Sequence, residues 1–345
     1  MIFWINIQIN HMIMSLFSIH SRVGVGLLAV AFSLPSPGFA ASSGTWLQTR
    51  DSNPFALASG LPLAPAIPQE GRWQFDVTFN VANTELAQFR DGASLVFDAE
   101  THESRISAAH AFNERWSLRA SLGYLTIGDG FLDAPVERFH RAFGFDNGDR
   151  GQLGTTAPVI EVRDTGITRY ALDKASSGSG PLLIDLTRQW QLSDQHLFGI
   201  ALGGKLATGS VRRLTDSDSS DVSLSAFSMM AFGERLDLGI RAGMLLRSGN
   251  HLLEEHARDQ VPFAGIVLRY RLGDKWSAWL QSDAHGALHR RLPDFLGGTA
   301  NQLNFGLSRR LGNASELQVT LAEDLPALHS SDVALTLNWR MRTGQ

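Results

Sequence analysis

The chain has 345 residues, room for one large domain or two ordinary ones, and 43% of them are hydrophobic. Its formal charge of -4 leaves neither a basic nucleic-acid footprint nor an acidic tail. Cysteine is absent, which excludes disulfides and thiolate chemistry, and 33 glycines favour many turns over a thick aliphatic core.

In chain order the first element is an export signal, residues 1–40. Arg22 precedes the apolar run VGVGLLAVAFSL at 23–34, and PSPGFA follows with Gly38 and Ala40 at the small positions of a cleavage site. Residues 1–13 are apolar and uncharged, unlike an n-region, so Met12 and Met14 are candidate starts. The run falls short of the roughly 18 residues a spanning helix needs, and none comparable follows residue 40. That excludes a transmembrane-helix protein. Residues 41–70 contain DSNPFALASGLPLAPAIP, in which Pro54, Gly60, Pro62 and Pro65 argue against any regular strand or helix. Two readings stand for this stretch, a periplasmic leader or a lumen segment.

From 71 to 342 the pattern has period two. In RWQFDVTFNVAN, residues 72–83, Trp73, Phe75, Val77, Phe79 and Val81 alternate with Arg72, Gln74, Asp76, Thr78 and Asn80, a strand with one apolar and one polar face. Short turn signals at 113–114, 193–195, 233–234, 273–275 and 312–314 alternate with longer polar connectors at 84–91, 126–177, 210–220, 248–260, 286–298 and 325–330. From 193 onward the turns recur about every forty residues, a repeat of strand, tight turn, strand and long loop. Between them lie about twelve strands: 71–83, 92–112, 116–125, 180–192, 196–209, 221–232, 236–247, 261–272, 276–285, 299–311, 315–324 and 331–341. Their lengths suit tilted membrane-spanning strands of about 9 to 11 residues better than soluble strands of about 5 to 6.

The faces carry the same message. Leu236, Leu238, Ile240, Ala242 and Met244 alternate with Asp237, Gly239, Arg241 and Gly243. A lumen tolerates such mid-strand charges and a lipid face does not. Phe227, Met229 and Trp279 fall on the inner parity instead, and the phase slips between Ala99 and Ile106, as at a bulge. Of eight tryptophans, Trp73, Trp116, Trp190, Trp276 and Trp339 lie near the short-turn edge, where an aromatic girdle belongs; in a soluble sandwich they would gather mid-strand. The expected fold is all-β: a monomeric transmembrane up-and-down antiparallel β-barrel of about 12 strands, over 71–342, with one helix-containing long extracellular loop at 126–177. An even strand number puts both termini on the short-turn side, the periplasm, for a protein in the outer membrane of a Gram-negative bacterium.

Candidate chemistry is sparse. FLDAPVERFHRAFGF, residues 131–145, reads as a loop helix capped by Asp133, with Pro135 in its first turn and Gly144 at its end. Leu132, Val136, Phe139 and Phe143 form an apolar stripe beside a polar one of Asp133, Glu137 and His140. Such a helix can dock on the barrel rim, or enter the lumen against Phe227, Met229 and Trp279. There Asp133, Glu137, His140 and Arg150 would be the binding residues. One Glu-x-x-His pair gives two ligands, short of the three or four a metal site needs, so neither metal nor cofactor is expected. Asp76, Arg119, Asp185, Lys205, Asp237, Arg241, Arg269, Asp283 and Arg310 fall on the lumen face, as a salt-bridged network or a selectivity ladder. His285 and His289, flanking Gly286, suit a loop and not a metal-binding helix. His110, Ser228 and Ser282 have the outward parity an outer-membrane acyl hydrolase requires. No serine and histidine pair in the sequence, no G-x-S-x-G occurs, and no catalytic residue is assigned.

Three motifs, TRDSNPFALASGLPLAP at 49–65, LVFDAET at 95–101 and GDGFLDAPVERFHRAFGFDNGDR at 128–150, resemble a proteobacterial domain-of-unknown-function family regarded as outer-membrane β-barrel proteins. The resemblance spans the mature chain and implies location and fold, but brings no established activity and no catalytic residue. The expected role is non-enzymatic, a narrow or gated channel or a structural surface barrel, with a lipid-modifying enzyme of the acyl hydrolase type as the alternative. Expected partners are outer-membrane lipids, periplasmic chaperones, the barrel-assembly machinery and a small solute, with no nucleic acid.

Overall fold

The structure is a computed structural model and describes residues 46–130, 138, 159–249, 251–325 and 329–343. The export signal lies outside these residues. Fourteen strands form among them. The first seven are β1 (Trp73–Arg90), β2 (Ala93–Ala111), β3 (Trp116–Gly128), β4 (Val159–Asp164), β5 (Ile167–Leu172), β6 (Ser176–Ser193) and β7 (His196–Leu206). The rest are β8 (Ser220–Phe232), β9 (Leu236–Ser248), β10 (Gln260–Arg271), β11 (Trp276–His285), β12 (Ala300–Arg310), β13 (Ser315–Asp324) and β14 (Val333–Arg342).

Twelve of them close a barrel. Consecutive strands pair antiparallel from β6 to β14, β14 pairs β1, β1 pairs β2, β2 pairs β3 and β3 pairs β6. This is the expected twelve-stranded antiparallel barrel. Closure leaves these strands no free edge, so every wall amide has a partner where water is absent. Along the outside, Phe79, Ile106, Leu122, Leu202, Leu224, Ile240, Phe305, Val319 and Leu337 are exposed, a band no water-facing surface keeps. Inside, Asp76, Thr78, Asn80, Arg105, Arg119, Gln318, Asn338 and Arg340 are buried. The girdle is present: Trp73, Trp276 and Trp339 are exposed at the short-turn edge, where Arg309 lies over Trp276 and Arg188 over both Trp116 and Trp190.

Three expectations are corrected at the long-loop end. Residues 84–91 are not a loop: β1 runs to Arg90 and turns into β2 through Asp91 (φ 48) and Gly92 (φ 84), the two left-handed positions of a type I′ hairpin. The connector 126–177 contains a second hairpin, β4 and β5, turned the same way at Thr165 and Gly166. It pairs β2 at 93–98, above the point where β3 takes over at Glu100. No bulge separates Ala99 from Ile106, since the register to β1 is continuous throughout. What changes there is the inner environment. Leu95, Phe97 and Ala99 point inward into an apolar cap, whereas Glu103, Arg105 and Ser107 on the same face line the polar lumen. The cap joins these side chains to Ile160 and Val162 of β4 and to Leu214, Leu252, Leu253, Leu292, Phe295 and Leu296 of the long loops. It includes helix α2 (Asp294–Gly297), whose Phe295 ring meets Phe97 at 5.3 Å.

Candidate functional site: the filled lumen

Residues 46–67 lie inside the barrel. The ascending limb follows β11 upward: Leu47 N–H donates to Gln281 Oε1 at 3.0 Å, Thr49 Oγ1 to Asp283 Oδ2 at 3.2 Å, and Asp51 meets His285 Nε2 at 2.9 Å. Arg105 of β2 reaches across to Gln48 O at 2.9 Å, and Asn80 of β1 to Ser52 Oγ at 2.8 Å. At the top the chain reverses through a one-turn helix, α1 (Pro54–Leu57), capped by Asn53, whose Oδ1 accepts from Phe55 N–H at 3.0 Å. Proline was expected to preclude any helix here. At the first helical position its missing N–H and fixed φ start one instead. Gly60 N–H then donates to Asp221 Oδ2 of β8 at 2.8 Å, and Arg119 of β3 holds Ala64 O at 2.6 Å. The limb leaves at the short-turn edge, where Glu70 bridges Ala111.

Apolar contacts fix the plug at two heights. Trp46, Leu47, Ala64 and Ile67 pack on Leu197, Phe227, Met229, Val267 and Trp279. This corrects the docking surface assigned to the loop helix, because the inward patch of Phe227, Met229 and Trp279 is already covered by the plug. Gly306 allows the approach: a Cβ there would stand 2.9 Å from Leu47 Cδ2. At the other end Phe55 and Ala58 enter the cap, with Phe55 edge-on to Tyr170 at 5.9 Å and to His289 at 6.0 Å.

Most of the remaining lumen charges are paired, across strands or, for Lys205, with a loop carboxylate. Arg119 and Asp185 meet at 2.7 Å, Arg241 and Asp283 at 2.8 Å, Lys205 and Asp216 at 2.7 Å, and Arg340 and Asp76 at 2.8 Å. Asp237 holds Arg271 at 2.6 Å and Arg269 at 3.8 Å. Arg310 stands exposed at the short-turn rim and donates to Asp274 O. Sequence reasoning missed Arg50, Asp51, Glu103, Arg105, Arg271, Asp216, Glu316 and Arg340. The inward parity of Glu103, Arg105, Arg271, Glu316 and Arg340 was available but their partners were not, whereas Arg50, Asp51 and Asp216 lie outside the strands and have no parity to read. Asp133, Glu137, His140 and Arg150 lie outside the described residues. Of that helix only Arg138 is described, helical and exposed. Among the described residues no group of three or more histidines and carboxylates could hold a metal ion.

His289, in the loop between β11 and β12, is buried in the cap. Burial first, then the charges of Arg247 and His256, hold its pKa well below the ordinary 6.5. Such a ring is neutral when folded but takes up a proton when unfolded, so its contribution is complete above pH about 6.5 and declines as pH falls below that. Acidification from about pH 7.5 to about pH 5 is expected to loosen the cap and, relative to an unstructured arginine peptide cut in parallel at each pH, to speed trypsin cleavage at the exposed Arg290 and Arg291. His289→Phe should remove that relative dependence, and a cleavage ratio to the peptide that does not change with pH in the unsubstituted chain would contradict it.

Of the outward candidates, His110 stacks on Trp73 at 4.6 Å, and Ser282 is buried and donates to Asn301 Oδ1 at 2.7 Å. Ser228 has a partner the sequence did not reveal: its Oγ lies 2.7 Å from His196 Nε2. Among the described residues no carboxylate lies within 4.0 Å of the His196 ring.

A family model described as "protein of unknown function (DUF3187)" matches residues 27–343. The chain belongs to that family. No curated protein matches it in sequence. Among solved structures it is similar to the COG4313 outer membrane channel from Pseudomonas putida F1, with TM-score 0.57 and 14% identity over 81% of this chain and 97% of that one. The NanC porin (TM-score 0.44, 10% identity, 79% and 99% covered) and the KdgM porin (0.43, 8%, 79% and 99%) also align. The first likeness gives the DUF3187 chain the fold of an outer-membrane β-barrel.

Proposed function

We propose that the protein is a narrow, gated channel in the outer membrane of a Gram-negative bacterium, with both termini in the periplasm, and that residues 46–67 are its gate. The carrying observation is how that segment is held. Apart from apolar contacts at its Trp46 end, at Phe55 and Ala58, and at Ala56 and Leu61 against Leu245, Val261 and Phe263, it is bound by hydrogen bonds and ion pairs to wall side chains that water can replace, and by no strand pairing. A purely structural barrel has no need of a separable, polar-bonded filling. The role is non-enzymatic, and the partners are membrane lipids, the periplasmic chaperones and assembly machinery that insert such barrels, and a small polar solute.

The absence of cysteine allows a clean test. In Leu47→Cys/Gly306→Cys, where a Cβ at 306 points straight at the space filled by the Leu47 side chain, oxidation should lock the gate and reduction release it. Expected in a planar bilayer are gating events that vanish under oxidant and return with reductant. Equal traces under both conditions would reject the gate. A second reading, an acyl hydrolase acting on lipid, is favoured only by the His196–Ser228 pair on the outer wall. Acyl release from phospholipid that disappears in Ser228→Ala would replace the channel reading.

A further inference from the structure

Below Trp279, toward the short turns, the inner wall is rich in arginine. Arg269 and Arg271 come from β10, Arg310 from β12, and Arg340 and Arg342 from β14. The register sets Asp237 of β9 opposite Arg269, Glu316 of β13 opposite both Arg310 and Arg340, and Asp76 of β1 opposite Arg340. Five guanidinium groups thus share three carboxylates. Asp237 and Asp76 are committed to Arg271, Arg269 and Arg340. Arg310 and Arg342 have no carboxylate within 4.0 Å among the described residues. Arg342 feels two guanidinium groups, Arg340 and Arg269, and two carboxylates, Glu316 and Asp76, that it shares with them, and its Nε is buried with no hydrogen-bond partner. The guanidinium groups still outnumber the carboxylates, and such a surplus of like charge on a wall facing away from lipid is relieved when a further anion sits among them.

We infer that this mouth of the lumen binds a small, multiply charged anion bearing carboxylate or phosphate groups, held between Arg310 and Arg342. β12 and β14 flank β13, two strand spacings or about 10 Å apart, with Glu316 between them in the row above Arg342; two arginine side chains can close on the short-turn side of Glu316 around a ligand of a few atoms, Arg310 giving up its bond to Asp274 O. Each planar fork gives a carboxylate or phosphate two parallel hydrogen bonds, which a lysine cannot. The inward parity distinguishes this set from Arg188 and Arg309, which lie over girdle tryptophans and face lipid headgroups.

The inference deepens the channel reading by naming a solute class, but binding is measured without conductance, so either can fail alone. The probes are inorganic phosphate and citrate, titrated calorimetrically into the full mature chain in a zwitterionic detergent. Saturable binding that weakens with added salt is expected, reduced about tenfold or more in Arg310→Gln/Arg342→Gln. The lysine pair should recover only part of it. Arg188→Gln/Arg309→Gln, with the same loss of charge on the outer face, should bind as the parent does. Absence of saturable binding by the parent for both probes overturns the proposal. So does an equal loss in the outer pair, which would trace the signal to headgroup or bulk charge effects. If the inner double variant does not fold, Arg310→Gln alone, at an exposed rim position, carries the comparison and should still lose affinity.

Discussion

Deleting residues 46–66 from the mature chain should convert a closed barrel into one with a steady unitary conductance. The wall does not depend on the plug for its backbone hydrogen bonds, since its twelve strands pair only with one another. The side chains that lose partners, Asn80, Arg105, Arg119, Gln281, Asp283 and His285, line a space that water then fills, so their bonds are exchanged and not orphaned. The stability lost is mainly apolar. Trp46, Leu47, Phe55 and Leu57 are fully buried, and each would surrender roughly 1.5 to 3 kcal/mol. The variant should therefore unfold at lower temperature yet still migrate as a folded barrel before heating. Removing Phe55 and Ala58 also takes the floor from the apolar cap, so the long-loop mouth loosens with the lumen. A deletion variant that folds and remains silent in the bilayer would mean that the cap closes the barrel by itself, and the gate would have to be sought in the long loops.

A second large effect is expected at Asp216. The Lys205 ammonium, at the top of β7, is fully buried and donates to Asp216 Oδ1 at 2.7 Å and to Ser219 O at 2.9 Å. The same carboxylate accepts backbone N–H groups from Thr208 at 2.9 Å, Gly209 at 3.1 Å and Asp218 at 3.0 Å, and so folds the loop between β7 and β8 around itself. In Asp216→Ala a buried charge and three loop amides lose their partner together. Breaking one side of a buried pair costs about 3 to 5 kcal/mol. The consequence is local opening of 207–219 and rapid trypsin cleavage at the exposed Arg212 and Arg213, while the barrel persists. Lys205→Met should cost less, because Asp216 keeps its three backbone donors. If Lys205→Met proves as damaging as Asp216→Ala, the ammonium and not the carboxylate organises the loop.

The wall of this protein was legible in its sequence because lipid is a uniform neighbour. Every outward side chain in the membrane meets hydrocarbon, so the period of two at residues such as Leu236, Leu238 and Ile240 reports the face directly, and tryptophans report the edge. Short turns could be read for a related reason: residues 193–195 or 312–314 act on their own strands. The Asp91-Gly92 turn carried an equally local signal, but the polar stretch before it looked like a loop until its pairing with 93–98 was visible. The interior has no such uniformity. Leu95 and Phe97 face inward like Glu103 and Arg105, and only height along one strand separates an apolar cap from a charged lumen. What fills that lumen was decided by tertiary structure alone. The bond from Leu47 to Gln281 joins residues 234 positions apart, and nothing in NPFALASGLP distinguishes a segment folded back into the barrel from one left outside it. Alternation tells which way a side chain points. Its partner there depends on chain closure, which a local pattern does not encode.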